Sequence, residues 1–226
     1  DHRDLHSFPT RRSSDLAALG HPDDAAKDVV IDEASPWRPP IRGAAYARSK
    51  YEAELEVHRG IAEGLDAVIV NPSLIFGVGR AGTNTRRIVD AVRSGWLPGV
   101  PAGGTNVVDV KDVAAGLRRA MARGRTGERY ILGGENLSWR AIVTTLAEAF
   151  GTEPPRRTIP PGLLTAAGRL AETAARLTGS APRFSRALAR SASRTRRYDN
   201  SKAVAELGCT FRPFAETAER LARALD

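Results

Sequence analysis

The stretch "LDAVIVNPSLIFGVGRAGTNTRRIVDAVRSG", residues 65–95, determines how the rest of the chain is interpreted. Its initial apolar run predicts a buried strand, and residues 85–95 have the periodicity of a helix. Between them, Gly77, Gly79 and Gly82 fit the pattern Gly-x-Gly-x-x-Gly. Loops with this pattern can hold a pyrophosphate on the amides of a helix N-terminus. The stretch therefore predicts a strand, a turn and a helix, with a candidate dinucleotide loop between them.

Strands and helices alternate on both sides of this stretch. A helix is predicted before it, over residues 44–64, and Gly64 supplies the stop signal. Alternation of this kind is typical of an α/β protein whose parallel sheet has helices on both faces. After the stretch, the pattern predicts a strand over 106–110, a helix over 111–124, a strand over 128–134 and a helix over 138–151 with Ser138 as N-cap.

Some polar and aromatic side chains receive simple structural assignments. Within helix 44–64, Glu54 and Glu56 are expected on the exposed face. Asp112 stands where a carboxylate caps the helix that follows. Trp96 and Trp139 are interpreted as packing residues.

The two ends of the chain differ from the alternating region, residues 17–151. Residues 1–16, "DHRDLHSFPTRRSSDL", show neither apolar period and resemble a translated sequencing adapter. We therefore expect a non-native segment that adds nothing to the core. Beyond Gly151, residues 152–226 begin with a proline-bounded connector and continue as a mostly helical region.

The chain of 226 residues carries a formal net charge of +8, and only four of its 34 basic residues are lysine. Six arginines and no acid fall within residues 183–197. Such a patch can bind phosphate backbones or acidic lipid. It lacks the interleaved aromatic residues of single-strand binders, so we favour a solvated helix face or the lip of an anionic-substrate site. We expect a small-molecule substrate as partner and no nucleic acid.

Cysteine, histidine and apolar content restrict the class of protein further. The single Cys209 excludes an intrachain disulfide and favours a reducing compartment. No apolar run approaches the roughly 20 residues that span a bilayer, and no secretory signal is evident, so a cytoplasmic protein without a membrane span is predicted. The four histidines do not have metal-binding spacing, so no metal site is expected.

Tyr46 and Lys50 are the strongest candidates for chemistry. They lie four residues apart on a predicted helix, so their side chains project from one face. An ammonium beside a phenol favours the phenolate and makes the pair a proton donor and acceptor. The alternative is a helix-surface pair with no functional role.

Four motifs together carry a family resemblance: "AYARSKYEAE", "VIVNPSLIFGVGR", "NVVDVKDVAAG" and "GERYILGGENLSW". Their order and spacing resemble those of extended short-chain dehydrogenase/reductases, the NAD-dependent epimerase/dehydratase group. The likeness is strongest to dihydroflavonol 4-reductase-like enzymes and hopanoid-associated sugar epimerases, and it covers about residues 17 to 226. It implies an α/β, Rossmann-type doubly wound parallel sheet, of which this chain has the C-terminal part only. A small, mostly helical substrate-binding lobe completes the expected fold.

The resemblance also implies roles for individual residues, with NAD or NADP as cofactor. Tyr46 would be the catalytic acid and base, and Lys50 would hold the nicotinamide ribose and tune Tyr46. Both would therefore contact the cofactor. Pro72, Ser73 and Leu74 would line the nicotinamide side of the pocket.

The same resemblance reinterprets the glycine motif. Members of the family hold the pyrophosphate at the first strand, well before the Tyr-Lys helix, whereas Gly77, Gly79 and Gly82 come after it and match a substrate loop. The chain is therefore expected to lack the cofactor-anchoring half and to be inactive by itself, and the choice between NAD and NADP stays open. A third catalytic position matches Asp15, beside Ser14.

Two functions remain open. The first is an NAD(P)-dependent oxidoreductase or epimerase that acts on a hydroxyl or keto carbon of a small, sugar-like or flavonoid-like substrate. The second is a non-catalytic Rossmann-fold module for binding or sensing. The intact Tyr46-x-x-x-Lys50 favours the first, because a sensor has no need of it. A homodimer is compatible with either.

Overall fold

The computed structural model describes residues 12–13, 16–19, 30–37, 45–79, 81, 83–178 and 185–225. The helices within these ranges are α1 (Ala45–Ala62), α2 (Asn84–Arg93), α3 (Val110–Arg123), α4 (Trp139–Ala149), α5 (Pro161–Thr178), α6 (Arg186–Ala192), α7 (Ser201–Leu207) and α8 (Phe214–Leu225). The strands are β1 (Arg12–Ser13), β2 (Val30–Ile31), β3 (Ile69–Pro72), β4 (Leu74–Phe76), β5 (Val100–Pro101), β6 (Gly104–Asp109), β7 (Arg129–Leu132), β8 (Glu135–Ser138), β9 (Thr158–Ile159) and β10 (Arg197–Tyr198).

Two three-stranded sheets form the centre of the fold. In the first, the strand order is β1-β3-β7 and all pairs are parallel. In the second, β4-β6-β8, the β4–β6 pair is parallel and the β6–β8 pair is antiparallel. The chain passes from one sheet to the other at Ser73, the single residue between β3 and β4. The predicted α/β architecture is confirmed, while the antiparallel strand β8 was not predicted.

The predicted helices lie close to their expected positions, and their caps show why. Ser138 caps α4 as predicted, because its side chain accepts a hydrogen bond from the Ala141 N–H at 3.1 Å. The capping role given to Asp112 was wrong. Asp109 caps α3 by accepting from the Lys111 N–H at 2.7 Å, since it is the residue that leaves the strand immediately before the helix.

The last two helices complete the hydrophobic cores of the sheets. From α8, Phe214 and Leu221 pack in one cluster with Phe76 of β4. From α7, Leu207 packs in a second cluster with Tyr130 of β7. The helical region after residue 151 thus contributes side chains to the cores of both sheets. Its assignment as a separate lobe stays a prediction.

The two tryptophans that were predicted to pack have different surroundings. Trp139 is partly buried against the first core cluster, as expected. Trp96 is 79% exposed, so the packing assignment was wrong for this residue. It follows the turn at Gly95 that ends α2, where φ is 66°, and its neighbour Leu97 is the residue that packs against the first core cluster.

Part of the N-terminal segment contributes to the fold, contrary to expectation. Strand β1 pairs in parallel with β3, with Arg12 opposite Ile69. Leu16 is buried in a cluster with Leu19 and Ile31. The prediction that residues 1–16 add nothing to the core is therefore wrong for these residues, because the backbone of Arg12 and Ser13 extends the sheet and the Leu16 side chain is buried.

Two ion pairs fasten the C-terminal region to the start of α3. Arg220 Nη2 lies 2.5 Å from Asp109 Oδ2, and the Asp109 side chain is buried. Arg212 binds Asp112 with its Nη2 2.7 Å from Oδ1. Burial by itself would raise the pKa of Asp109, but hydrogen bonds from Arg220, the Lys111 N–H and Thr217 outweigh it and lower that pKa.

We expect the Asp109–Arg220 pair to make stability depend on pH on the acid side. Because the folded-state pKa is lowered, the contribution is complete above about pH 5 and is lost as the pH falls below about 4. Asp109→Asn keeps a capping side chain but loses the charge, and it should cost about 2 kcal/mol at neutral pH. The difference in Tm between the wild type and this variant should narrow from about pH 6 to about pH 3. Glu153→Gln alters an exposed ion pair and serves as the control. A difference in Tm between the wild type and Asp109→Asn that stays constant with pH would refute the assignment.

The described residues contain no helix long and apolar enough to cross a membrane. In the same part of the chain, no three His, Cys, Asp or Glu side chains are grouped so that they could hold a metal ion. Cys209 is buried, and burial raises the pKa of its thiol.

Candidate active site

Tyr46 and Lys50 occupy the first two turns of α1 and share one face of it. Lys50 Nζ lies 5.6 Å from the centroid of the Tyr46 ring, which places a cation against the phenol. Tyr46 is 59% exposed and Lys50 is half-buried, so the phenol is accessible to a reactant while the ammonium is held beside it. The predicted pair is therefore brought together, and its catalytic role stays a prediction.

Glu54, one turn beyond Lys50, fixes this helix to the sheet. The predicted exposure of Glu54 was wrong, because its side chain is only 3% exposed. Its Oε1 accepts a hydrogen bond from Asn71 Nδ2 at 2.7 Å, and its Oε2 lies 3.2 Å from Arg129 Nη2. Asn71 lies on β3 and Arg129 on β7, so one carboxylate joins α1 to two neighbouring strands.

The residues predicted to line the nicotinamide pocket lie directly after Asn71. Pro72 ends β3 and is buried, and Leu74 begins β4 half-buried. Between them, the Ser73 N–H donates to the Leu132 carbonyl at 3.1 Å. The Ser73 hydroxyl is buried, and the described residues provide no hydrogen-bond partner for it. Because the Glu54–Asn71 bond is one residue away, α1 is fixed close to this junction.

The loop that contains Gly77 and Gly79 follows β4, and close packing accounts for the first of these glycines. A Cβ on Gly77 would lie 2.7 Å from Val110 Cγ1, so any other residue there would have to displace the Val110 side chain at the start of α3. Gly79 has a φ of 51°, in the left-handed region. Arg86 on α2 closes the loop by donating from Nη1 to the Val78 carbonyl at 3.0 Å. Gly82 lies outside the described residues, and the substrate-loop assignment stays a prediction.

The described segment before α1, residues 30–37, packs against that helix through Trp37. Trp37 stacks on Tyr51 with ring centroids 4.0 Å apart and an interplanar angle of 7°. Tyr51 directly follows Lys50, so the stack covers α1 beside the site. Glu33 ties the same segment to β7, since its Oε1 accepts from the Ile131 N–H at 2.8 Å, and burial raises the pKa of this carboxyl.

Sequence reasoning missed Glu54 and the Trp37–Tyr51 stack as parts of the site. A signal for Glu54 existed, because Tyr46, Lys50 and Glu54 follow one another at intervals of four residues on one helix. The stack joins a loop to a helix and leaves no local pattern. The predicted third catalytic position, at Asp15 beside Ser14, lies outside the described residues.

Comparisons with known proteins show which proteins the chain resembles. A dihydroflavonol 4-reductase-like protein of Synechocystis sp. is 34% identical over 203 residues, which are 87% of this chain and 58% of that protein. The crystal structure of gox2253 is 34% identical with a TM-score of 0.76, and the match covers 94% of this chain and 64% of that chain.

A more distant structure shares the fold. This is DesIV, a dTDP-glucose 4,6-dehydratase from Streptomyces venezuelae with NAD and TYD bound, which is 20% identical with a TM-score of 0.64. The match covers 93% of this chain and 57% of DesIV. Together with the parallel strands and flanking helices described above, these likenesses confirm the Rossmann-type α/β fold.

The matches cover most of this chain but only part of each curated relative. The chain spans just over half the length of the curated relatives it matches, 58% and 53%. Residues 18–133 match the model of the NAD dependent epimerase/dehydratase family, and this range includes Tyr46, Lys50 and the β3–β4 junction. The chain therefore belongs to the NAD-dependent epimerase/dehydratase family.

Proposed function

We propose that this chain provides the acid–base part of an NAD(P)-dependent oxidoreductase or epimerase. The substrate class proposed is a small, sugar-like or flavonoid-like molecule that reacts at a hydroxyl or keto carbon. The observation that carries the proposal is the accessible Tyr46 phenol with the Lys50 ammonium 5.6 Å from its ring centroid. Family membership supports the reaction class, and the names of the reductase-like and dehydratase relatives support the two substrate types.

Tyr46 is the group that moves the proton. Its phenol donates a proton to a carbonyl oxygen when the substrate is reduced, and its phenolate accepts one from a hydroxyl when the substrate is oxidised. Lys50 stabilises the phenolate by its charge and reduces the free energy needed to form it. NAD or NADP, when bound, supplies the hydride donor or acceptor.

The residues at the β3–β4 junction fit a nicotinamide. The buried Ser73 hydroxyl is suited to a polar group of a ligand, since the described residues offer it no hydrogen bond. Pro72 and Leu74 provide apolar surface on either side, and Lys50 would hold the ribose. This set does not distinguish NAD from NADP, because that choice depends on contacts to the adenosine ribose.

Lys50→Ala tests this function in the whole protein that contains the chain. We expect turnover and cofactor affinity each to fall about tenfold or more, since one side chain serves both the phenolate and the ribose. Steady-state kinetics with NADH and NADPH, together with calorimetric Kd values, measure the two effects. Arg48→Ala is the matched control, because Arg48 is exposed and pairs with exposed Glu52 on the same helix. Unchanged turnover in Lys50→Ala would contradict the proposal and favour the binding or sensing module.

A further inference from the structure

Helix α5 carries an apolar stripe that the rest of the fold leaves exposed. Leu163, Leu170 and Leu177 are 61%, 72% and 83% exposed, and their spacing of seven residues places them along one side of the helix. The same stripe includes further exposed small residues, namely Ala166, Ala167, Thr173 and Ala174. Single exposed leucines are ordinary, but three in one line form a continuous apolar surface.

This stripe is distinct from the side of α5 that packs on α6. Leu164, Gly168 and Ala175 are the buried residues of α5. A Cβ on Gly168 would lie 2.8 Å from the Arg186 backbone nitrogen, so the two helices are in close contact there. The helix therefore has one face for its partner and a second apolar surface directed away from it.

The α5–α6 hairpin is also the most basic part of the chain. Its described residues, 161–178 and 185–197, contain seven arginines and one acid, Glu172, so they hold six of the chain's eight net positive charges. Glu172 is already paired with Arg186 at 2.7 Å. Arg169 and Arg176 are exposed and border the leucine stripe on α5. Exposed arginines on α6 and beyond extend this charge, namely Arg190, Arg194 and Arg197.

The positive charge beside the leucine stripe indicates which kind of partner covers it. A second copy would bring two strongly positive surfaces together, which Coulomb repulsion disfavours. A single-stranded nucleic acid would need aromatic residues on which its bases stack, and residues 161–178 and 185–197 contain none. A leucine face bordered by arginines matches an interfacial helix, whose apolar side enters the acyl region while its cations contact lipid phosphates.

We propose that the α5–α6 hairpin docks on an anionic membrane surface, with Leu163, Leu170 and Leu177 inserted among the lipids. Both ends of the hairpin are held by the body of the protein. Strand β9, just before α5, pairs with β5, and the Gly104 N–H donates to the Arg194 carbonyl at 3.0 Å. Docking would therefore hold the whole protein at the surface. This inference does not depend on the proposed catalytic activity.

Vesicle sedimentation of the 226-residue chain tests the proposal. We expect binding to phosphatidylcholine vesicles that contain about 30% phosphatidylglycerol, and at least about tenfold weaker binding to pure phosphatidylcholine. Raising the salt from about 0.1 M to about 0.5 M should weaken the binding, because screening acts on exposed charges.

Two sets of variants separate the apolar contribution to vesicle binding from the electrostatic contribution. The triple variant Leu163→Gln, Leu170→Gln, Leu177→Gln should lose about tenfold or more in vesicle affinity, since it removes the inserting surface. Leu55→Gln, at an exposed leucine of α1, is its control. Arg169→Gln with Arg176→Gln should also weaken binding, whereas Arg87→Gln on α2 should not. All of these positions are exposed, so each variant should keep the Tm of the wild type.

Four outcomes would overturn the proposal. They are no binding to anionic vesicles, equal binding to neutral and anionic vesicles, wild-type binding by the triple leucine variant, and preferential binding of a single-stranded oligonucleotide. A dimer that the triple leucine variant abolishes, observed without vesicle binding, would assign the stripe to a second copy instead.

Discussion

If the proposed function is right, Tyr46→Phe is expected to lower the turnover of the whole protein that contains the chain by at least about 100-fold, while its affinity for the cofactor stays nearly unchanged. The substitution removes only the phenolic oxygen and its proton, and it keeps the ring beside Lys50. Steady-state kinetics and calorimetric titration of the cofactor measure the two quantities separately.

Tyr51→Phe is the matched control for this prediction. Tyr51 lies on the same helix and stacks on Trp37 through its ring, which the substitution preserves. We expect near wild-type turnover from this control. If Tyr46→Phe also retained near-normal turnover, the proton-transfer role would have to be withdrawn.

Glu54→Ala should lower the free energy of unfolding by about 3–5 kcal/mol. The loss arises because the change leaves the Arg129 guanidinium and the Asn71 amide without the carboxylate that now joins them to α1. Glu54→Gln should cost less, because its side-chain oxygen can still accept from Asn71. Denaturant unfolding followed by circular dichroism measures the difference.

Two further variants test whether the loss of stability is specific to the Glu54 carboxylate or follows any substitution on α1. Glu56→Ala alters an exposed pair with Arg59 and should change stability by less than about 1 kcal/mol. Glu54→Leu combined with Arg129→Met should recover much of the stability, because no buried charge then stays unpaired. A loss for Glu54→Ala as small as that for Glu56→Ala would contradict the anchoring role.

Much of the fold follows from local patterns in the sequence. Helix α1 was predicted over 44–64 and is observed at Ala45–Ala62, because its stop signal at Gly64 is local. The pairing of strands depends on distant residues. No local pattern showed that β8 would run antiparallel to β6, or that the chain would change sheets at Ser73.

At the candidate site, too, the sequence predicts local relations well and long-range contacts poorly. Tyr46 and Lys50 could be paired from their spacing, since neighbouring turns of a helix fix their relation. Glu54 was assigned to the surface because a carboxylate in a helix is usually solvated. Its burial is possible only because Asn71 and Arg129 reach it from two other elements. The local position of Asp112 likewise predicts a cap, whereas its actual partner, Arg212, is 100 residues away in sequence.

The docking of α7 and α8 onto both cores has a consequence for how the protein is made. The contacts that complete these cores join distant parts of the chain, and the Asp109–Arg220 bond spans 111 residues. A ribosome therefore releases the strands of both sheets before it has made α7 and α8, and the apolar surface that these two helices cover stays open until they emerge. Closing such long loops delays the stabilising contacts, so folding should be slow and finish only after the last turn of α8 has emerged.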